Sequence, residues 1–332
     1  MEFFMGYSEP TLSVIIPCFN GIGRVEDCLK SIQMQDYPQD KIEYIIVDDA
    51  STDDTVALCR DVYHCKIIKN GTHNIERGKS LGVEHASGEY IFLIDDDNRL
   101  PGKTWLSTLV KGVVTENAVG GQASYFHYDK NDSHANRYAA LFGINDPAVF
   151  YLHNRDKLMQ TETSWTLPGT VIKETDAYYK IRFSPENLLT VGSQGFLIKK
   201  EYVLKANWQP YLYHMDTNLE LVQQGYDTYI MLKDSVIHKH SNDAKHFIQK
   251  LKRNIRLYYS ENQYRKYTYA MTAGKAIKLG LILGTGIIPL KDSMKGYLKI
   301  HDTAWFLHPI ISFRIAVIYA LATLNHLLRG QK

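Results

Sequence analysis

Over its first third the chain repeats one pattern: a short apolar run rich in β-branched residues, a polar turn, and then a segment with helical spacing. Leu12 to Ile16 is such a run, ending at Pro17, and Arg24 to Gln35 follows with Val25, Cys28, Leu29 and Ile32 at helical intervals. Tyr44 to Val47 is the next run. The polar turn Asp48 to Asp54 leads from it into a predicted helix, Thr55 to about Val62, with Asp53 in the region of the N-cap. Cys65 to Ile68, a helix around Lys79 to His85, and the run Tyr90 to Ile94 continue the series. Strands alternating with helices predict a parallel, doubly wound sheet with helices on both faces. Such sheets bind ligands outside the carboxyl ends of their strands, and every polar cluster named so far falls at one of those ends.

Beyond a predicted helix at Trp105 to Val114 the period is lost, and residues 120 to 190 mix aromatics with polar turns. This middle region reads equally as the wall of an acceptor pocket or as loop-rich packing. A glycine-bearing turn, Gly192 to Gly195, precedes a strand-like segment, Gly195 to Ile198. Leu219 to Gln223 reads as a helix ending at Gly225, and Thr228 to Leu232 with Val236 to Ile237 read as strands. At 332 residues the chain exceeds what one hydrophobic core usually serves.

Charge divides the chain. Residues 1 to 238 hold 22 basic and 32 acidic side chains, residues 239 to 278 hold 10 and 2, and residues 279 to 332 hold 6 and 2. An acidic head followed by a basic, partly apolar tail points to an anionic partner for the tail. From His246 to Tyr259, Phe247, Leu251, Ile255 and Tyr258 fall at helical spacing while Lys250, Lys252, Arg253 and Arg256 occupy other faces, the pattern of a basic amphipathic helix. Two apolar stretches follow, Leu279 to Leu290, interrupted by Gly284, Gly286 and Pro289, and Ala304 to Leu328, interrupted by Pro309, Arg314 and His326. The first is shorter than the roughly 20 residues that span a bilayer. The second is long enough, but a central Arg costs about 2.5–3.5 kcal/mol on insertion scales. Helices lying in the interface or forming a shallow hairpin are therefore expected, with a transmembrane or re-entrant helix at 304–328 and simple packing on the rest of the protein as the other arrangements. Because the charge is interleaved with apolar runs, no nucleic-acid partner is expected.

The four cysteines, Cys18, Cys28, Cys59 and Cys65, include no C-x-x-C pair, which favours a reducing compartment. Met1 to Pro10 carries Glu2 and Glu9 and no basic region before an apolar core, so it does not read as a secretory signal. The head is expected on the cytoplasmic face of a membrane.

The chemistry begins at Asp95, Asp96 and Asp97, three carboxylates directly after the apolar run Tyr90 to Ile94. Hard cations such as Mg²⁺ or Mn²⁺ take oxygen ligands and keep positions for substrate phosphates, so a D-x-D at a strand end reads either as a nucleotide-diphosphate site or as a solvated acidic turn. The turn after the first strand, with Pro17, Phe19 and Asn20, offers backbone groups and an aromatic wall for a base, although Phe19 also suits a core. Asp48 could accept from a ring N–H, and it and Asp49 also suit a turn or cap. Arg77 could approach the base or diphosphate, with Gly78 allowing close backbone approach, or form a surface salt bridge.

Five segments in order resemble the family 2 glycosyltransferases of the GT-A fold: SVIIPCFN at 13–20, YIIVDDASTDDT at 44–55, RGKSLGVEHASGEYIFLIDDDN at 77–98, VGSQGFLIKK at 191–200 and HMDTNLELVQQGYDT at 214–228. The resemblance implies an α/β fold, a GT-A type Rossmann-like, mostly parallel sheet flanked by helices, with a C-terminal helical membrane-associating region. It covers roughly residues 11–240 and places a catalytic domain at 1–240, with a nucleotide-sugar half at about 11–120 and an acceptor half at about 121–240; the tail's charge and apolar pattern adds membrane-associating helices at 241–332. It makes Asp48 the base reader with Asp49 as substitute, assigns Asp95 to the ribose and metal region and Asp97 to direct metal ligation, and leaves Asp96 as a spacer. A histidine after the last strand completes the metal shell in resembling enzymes, His238 ahead of His240, and imidazole suits Mn²⁺ better than Mg²⁺. Gly192, Ser193, Gln194 and Gly195 resemble an acceptor-side loop.

Transfer with inversion needs a carboxylate base opposite the diphosphate. Asp216 is the candidate, and it also suits an N-cap of the helix that follows. The family pattern here is commonly Glu-Asp, and this chain has Met215 in place of the Glu. The expected activity is inverting, metal-dependent transfer of a sugar from a nucleotide diphosphate to a membrane-associated acceptor, such as a polyprenyl-linked saccharide or a lipid. No Gln-x-x-Arg-Trp motif is present, which favours single addition over processive synthesis. Two alternatives are a nucleotidyltransferase that makes the nucleotide sugar and a non-catalytic nucleotide-binding membrane scaffold. The first usually has a glycine-rich, basic loop after strand one, where this chain has PCFNGIGR.

Overall fold

The computed structural model describes residues 8–192, 194–261, 264–266 and 272–329. They form two compact units, one of residues 1–124 with 168–238, the other of residues 125–167 with 239–332. The linear boundary expected near residue 240 is therefore crossed once more, because residues 125–167 group with the C-terminal helices.

The first unit is built on β1 (Leu12–Cys18), α1 (Ile22–Gln33), β2 (Ile42–Asp48), α2 (Thr55–Ala57), β3 (Lys66–Lys69), α3 (Ile75–His85), β4 (Tyr90–Ile94), β5 (Asn98–Arg99) and α4 (Trp105–Thr115). Strands β3, β2, β1 and β4 are parallel neighbours in that order. β1 is buried along its whole length, as a central parallel strand covered on both faces must be. It runs two residues past the expected end, with Pro17 opposite Val47 and Cys18 opposite Asp48. α1 docks through Val25, Cys28, Leu29 and Ile32, the four positions its spacing marks. α3 lies close to the sheet because Gly82 carries no Cβ, which would overlap Ile15; at Gly78 a Cβ would meet Pro17 and Val47 at 3.6 Å, an ordinary contact. The segment after α2 continues to Val62 as a wider, π-type turn rather than as regular helix.

The sheet then changes sense. β9 (Gln194–Lys199) runs antiparallel to β4 and to β6 (Gly120–Phe126). Beyond β6 come β10 (Thr228–His238), β8 (Tyr178–Arg182) and β7 (Thr170–Glu174), with β8 antiparallel to both of its neighbours. β5 pairs antiparallel with the end of β10. β10 is one continuous strand where two short ones were expected. α7 (Lys200–Val203) and α8 (His214–Gln223) follow β9. The indole of Trp105 on α4 donates to the Ser235 carbonyl at 2.9 Å and meets Phe92 edge-on, fixing that helix across the sheet.

The second unit joins α5 (His134–Phe142) and α6 (Pro147–Tyr151) to α9 (Ala244–Glu261), α10 (Ala273–Thr285), α11 (Ile287–Lys299) and α12 (Leu307–Arg329). Its core combines Tyr138 and Phe142 from α5, Phe247, Leu251 and Ile255 from α9, and Trp305, Ile311 and Ile315 around the start of α12. The basic amphipathic helix is thus present, but its apolar stripe is used inside this core, and Lys252, Arg253 and Arg256 face outward. The apolar stretch expected at 279–290 is two helices, broken at Gly286, whose φ of 68° suits glycine. Pro289 sits in the first turn of α11, where a missing N–H costs nothing. At the centre His308 stacks on Phe142 and shares 2.9 Å hydrogen bonds with the hydroxyls of Tyr138 and Tyr151.

Gly296 on α11 lies under the Trp305 ring, and a Cβ there would stand 2.5 Å from the indole. Gly296→Ala is expected to destabilise this unit by about 1–3 kcal/mol through overpacking, despite alanine's better helix propensity. Thermal unfolding followed by circular dichroism reads the effect, and an unchanged or raised midpoint contradicts it.

Candidate active site

Three loops at the carboxyl ends of the parallel strands make the site. After β2, both oxygens of the buried Asp48 carboxylate accept from the Ser51 N–H at 3.2 Å, shaping a turn in which Ala50 has a φ of 65°. Asp49 accepts from the His73 N–H at 2.9 Å and stands 3.5 Å from the His73 ring. After β1, Asn20 takes a left-handed conformation, φ 45°, and its side-chain oxygen accepts from the Thr52 N–H at 2.8 Å, tying the two loops together. Phe19 is not a core residue. It is 47% exposed on this turn, edge-on to His73 at 5.8 Å.

After β4 the three carboxylates separate into different environments. Asp95 is enclosed, and its Oδ1 has no hydrogen-bond partner among the described residues. Burial, joined by the charges of Asp97 and Glu76, pushes its pKa up to about 6 against the pull of the Lys79 ammonium. Asp96 turns toward α1 and pairs with Arg24 at 2.9 Å. Asp97 accepts from the Asn98 side-chain amide at 2.9 Å, and its Oδ1 stands 3.6 Å from Nε2 of His238. The β5–β10 pairing is the cause, since it sets Asn98 opposite His238 and so carries the neighbouring Asp97 to the end of β10.

Asp97 and His238, a carboxylate beside an imidazole, belong to a side-chain cluster that could hold a divalent metal, and Asp95, two residues before Asp97, carries an unmatched carboxylate oxygen. The buried Asn98 also has an unmatched side-chain oxygen there. Orphaned buried acceptors cost free energy unless a cation or donor meets them, so these residues fit a metal. His240, two residues past the strand, belongs to the second unit, where its ring packs edge-on against Phe247.

Asp216 lies in the first turn of α8 and is buried. It is not the N-cap, which is Tyr213. Two connections bring α8 to the same edge of the sheet as the acidic triplet. Ile94, the residue before Asp95, pairs with Gln194, and Gly192, two positions before Gln194, has so little room against His214, at the start of α8, that a Cβ would overlap it. The Asn218 amide of α8 donates to the Val191 carbonyl at 3.1 Å. On the other flank the Glu76 carbonyl accepts from the Leu212 N–H at 3.1 Å, while the charge of the same Glu76 acts on Asp95. Gly192, with φ 145°, and Gly195, with φ 71°, both need glycine's freedom; Ser193 lies outside the described residues.

Arg77 takes the salt-bridge alternative, to Glu84 at 3.0 Å, and also donates to the Pro210 carbonyl at 3.2 Å. The cation acting on Asp95 is instead Lys79, buried on the inner face of α3 and 3.4 Å from Glu76. Sequence reasoning missed Lys79, Glu76 and Arg24. A lysine on the sheet-facing side of α3, in step with Gly78 and Gly82, was the available signal for the first.

Residues 13–172 match the family described as Glycosyl transferase family 2. The chain is 25% identical over 183 residues to Glycosyltransferase GlyG of Streptococcus pneumoniae, covering 52% of this chain and 60% of that protein. It is 39% identical over 110 residues to the GalNAc(5)-diNAcBac-PP-undecaprenol beta-1,3-glucosyltransferase of Campylobacter jejuni, covering 31% of this chain and 34% of that one. Both matches span less than two thirds of the relative's length. Among solved structures, the mannosyltransferase PcManGT from Pyrobaculum calidifontis, in complex with GDP-Man and Mn²⁺, superposes with a TM-score of 0.56 at 16% identity, covering 96% of this chain and 88% of that one. At that identity the likeness shows a shared fold.

Proposed function

The chain belongs to the family 2 glycosyltransferases, and we propose that it moves a sugar, with inversion and in single additions, from a nucleoside diphosphate donor to a lipid-linked acceptor at a membrane surface. The observation that carries this reading is the gathering of Asp95, Asp97 and His238 at one sheet edge with Asp216. Asp97 and His238, with Asp95, would hold a divalent cation, Mn²⁺ in preference to Mg²⁺, which supplies Lewis-acid neutralisation of the departing diphosphate.

The remaining roles are the protein's own. The turns after β1 and β2 receive the nucleotide, with Phe19 as the exposed aromatic wall for the base and Pro17, Asn20, Asp48 and Asp49 shaping the pocket around it. Asp95 orients the ribose side of the donor. Gly192 and Gly195 admit the acceptor close to the backbone. Asp216 takes the proton from the acceptor hydroxyl as its oxygen bonds to the anomeric carbon and the carbon–phosphate oxygen bond breaks, the nucleoside diphosphate leaving on the opposite face.

The acceptor class follows from two observations. The Campylobacter relative carries an undecaprenol-linked substrate in its name. In the second unit the helices display apolar side chains outward: Ile277, Leu281, Leu298, Phe313 and Leu321 are each more than half exposed. On α12 the outward stripe Ile310, Phe313, Val317, Leu321, Leu324 lies opposite the core-facing Ile311 and Ile315. Thr303–Leu324 is long and apolar enough to cross a bilayer. With one face of its first half in a protein core, however, this helix suits a monotopic placement, sunk into the cytoplasmic leaflet. Exposed Lys275, Lys278, Lys291, Lys295 and Lys299 surround the apolar side chains, each contributing about 1 kcal/mol near anionic lipid.

A screen of nucleotide sugars with Mn²⁺, scored for release of nucleoside diphosphate, tests the activity. Slow hydrolysis of one donor supports it, and release of pyrophosphate with a sugar phosphate and nucleoside triphosphate would favour a nucleotidyltransferase. For the surface, co-sedimentation with vesicles containing anionic lipid is expected to retain the protein and to be weakened about 10-fold or more by a Leu281→Ser, Phe313→Ser double variant, which removes two exposed apolar anchors. Equal retention of that variant contradicts the assigned face.

A further inference from the structure

The central residue of the acidic triplet has a task of its own. Asp96 turns toward α1, and its Oδ2 accepts from Arg24 twice, from Nε at 3.2 Å and Nη2 at 2.9 Å. The same Nη2 donates to the carbonyls of Phe19 at 3.2 Å and Asn20 at 3.4 Å. Cys18 directs its thiol to the same carboxylate oxygen at 3.5 Å. Gly21 is the closing part, because a Cβ there would overlap Asp96 Oδ2 and stand 2.9 Å from the Cys18 sulfur. One guanidinium therefore joins the loop after β4 to the left-handed turn after β1. Asp96 is largely buried and Arg24 half exposed, so the pair is partly shielded from the solvent screening that weakens surface ion pairs. Residues Asn20 to Arg24, with Asp27 and Arg99, line a cleft of about 380 Å³ at this turn.

We propose that Arg24 and Asp96 form a clasp that holds the Phe19–Gly21 turn in its nucleotide-receiving shape, so that the pair sets donor affinity as positioning residues without touching the reacting atoms. This rests on the reading of that turn as the nucleotide pocket. Phe19 and Asn20 are the residues whose carbonyls the guanidinium fixes, and Asn20 in turn fixes the loop after β2. Releasing the clasp frees the turn, while Asp95, Asp97, His238 and Asp216 keep their own contacts.

The test uses Arg24→Ala, Arg24→Lys, Asp96→Asn and the Arg24→Ala, Asp96→Asn double variant of the full chain. Two readouts separate the clasp from the function on which it rests. The first needs no substrate: the rate of Cys18 alkylation by iodoacetamide, read by peptide mass. Cys18 is buried and held in the clasp, so its labelling is expected to accelerate in the alanine and asparagine variants and to stay slow in Arg24→Lys, which keeps the charge against Asp96. The second is binding of UDP and GDP with Mn²⁺ by calorimetry. Kd is expected to rise about 10-fold in Arg24→Ala and in Asp96→Asn, no further in the double, as for two groups acting through one bond, and to stay near the wild-type value in Arg24→Lys. In the transfer assay KM for the donor rises with it, and kcat stays within about twofold. Unchanged Cys18 labelling overturns the clasp whatever the ligand. Accelerated labelling with unchanged Kd, additive losses in the double variant, or a fall in kcat at constant KM overturns its role in donor affinity. Wild-type protein that labels as expected yet binds neither nucleotide overturns the functional reading instead, and with it the donor role of the clasp.

Discussion

Replacing Asp216 with Asn is expected to lower the rate of sugar transfer by about 10³-fold while leaving donor binding within a factor of about two, because general-base contributions of this kind amount to roughly 10²–10⁴. The substitution keeps size and hydrogen-bonding shape and removes only the capacity to hold the acceptor's proton. Asp216 is buried in the first turn of α8, where the helix N-terminus favours a carboxylate. Loss of the charge there costs about 0.3–1 kcal/mol of stability, too little to unfold the domain. Calorimetric binding of the nucleoside diphosphate, measured beside transfer, separates chemistry from folding. A variant that transfers at the wild-type rate removes Asp216 from the reaction.

Removal of divalent metal with a chelator is expected to abolish transfer, and Mn²⁺ is expected to restore it at lower concentration than Mg²⁺. Several kcal/mol of stabilisation of the leaving diphosphate correspond to about 10³-fold in rate. The contacts that distinguish the two ions are local. Asp97 offers a hard oxygen and His238 a nitrogen 3.6 Å away, and the nitrogen is what Mg²⁺ accepts poorly. Asp97→Asn should therefore reduce activity with both ions, whereas His238→Gln should narrow the difference between them. Titration of metal into the two variants, with nucleoside diphosphate release as the signal, checks both. Full activity of the chelated enzyme, or of Asp97→Asn, contradicts the assignment.

How far these residues could be found in advance depended on what surrounds them. The parallel strands were legible as compact apolar runs, β1 and β4 buried along their entire length, with β3, at the sheet edge, reduced to Ile67 and Ile68 between two exposed lysines. β7, Thr170–Glu174, is exposed at all five residues, and β6 reads GGQASYF, so neither shows the alternation by which an antiparallel strand is recognised. Their pairing is set by tertiary context. The amphipathic stripe of α9 was legible as a helix face, but its partner, α5, lies about a hundred positions earlier in the chain, and no local signal joins Phe247 to Tyr138. In the site, Asp95, Asp97 and His238 were visible as motif residues. Arg24 and Asp96 are 72 positions apart, and their contact depends on α1 packing against β5, just past the acidic triplet, so Asp96 read as a spacer. Arg77 showed the converse: its residue type suggested a phosphate contact, and α3 turns it toward Glu84 while bringing Lys79 inward.

The account stands on Asp97 with His238 and Asp216 addressing opposite faces of one donor sugar. A crystal structure with Mn²⁺ and the nucleotide sugar selected by the hydrolysis screen measures this directly. It is predicted to show the metal bound by Asp97 and His238, the diphosphate on that metal, and the Asp216 carboxylate across the anomeric carbon from the leaving oxygen. A sugar bound with Asp216 facing a different cavity, or a metal bound away from Asp97, would contradict it.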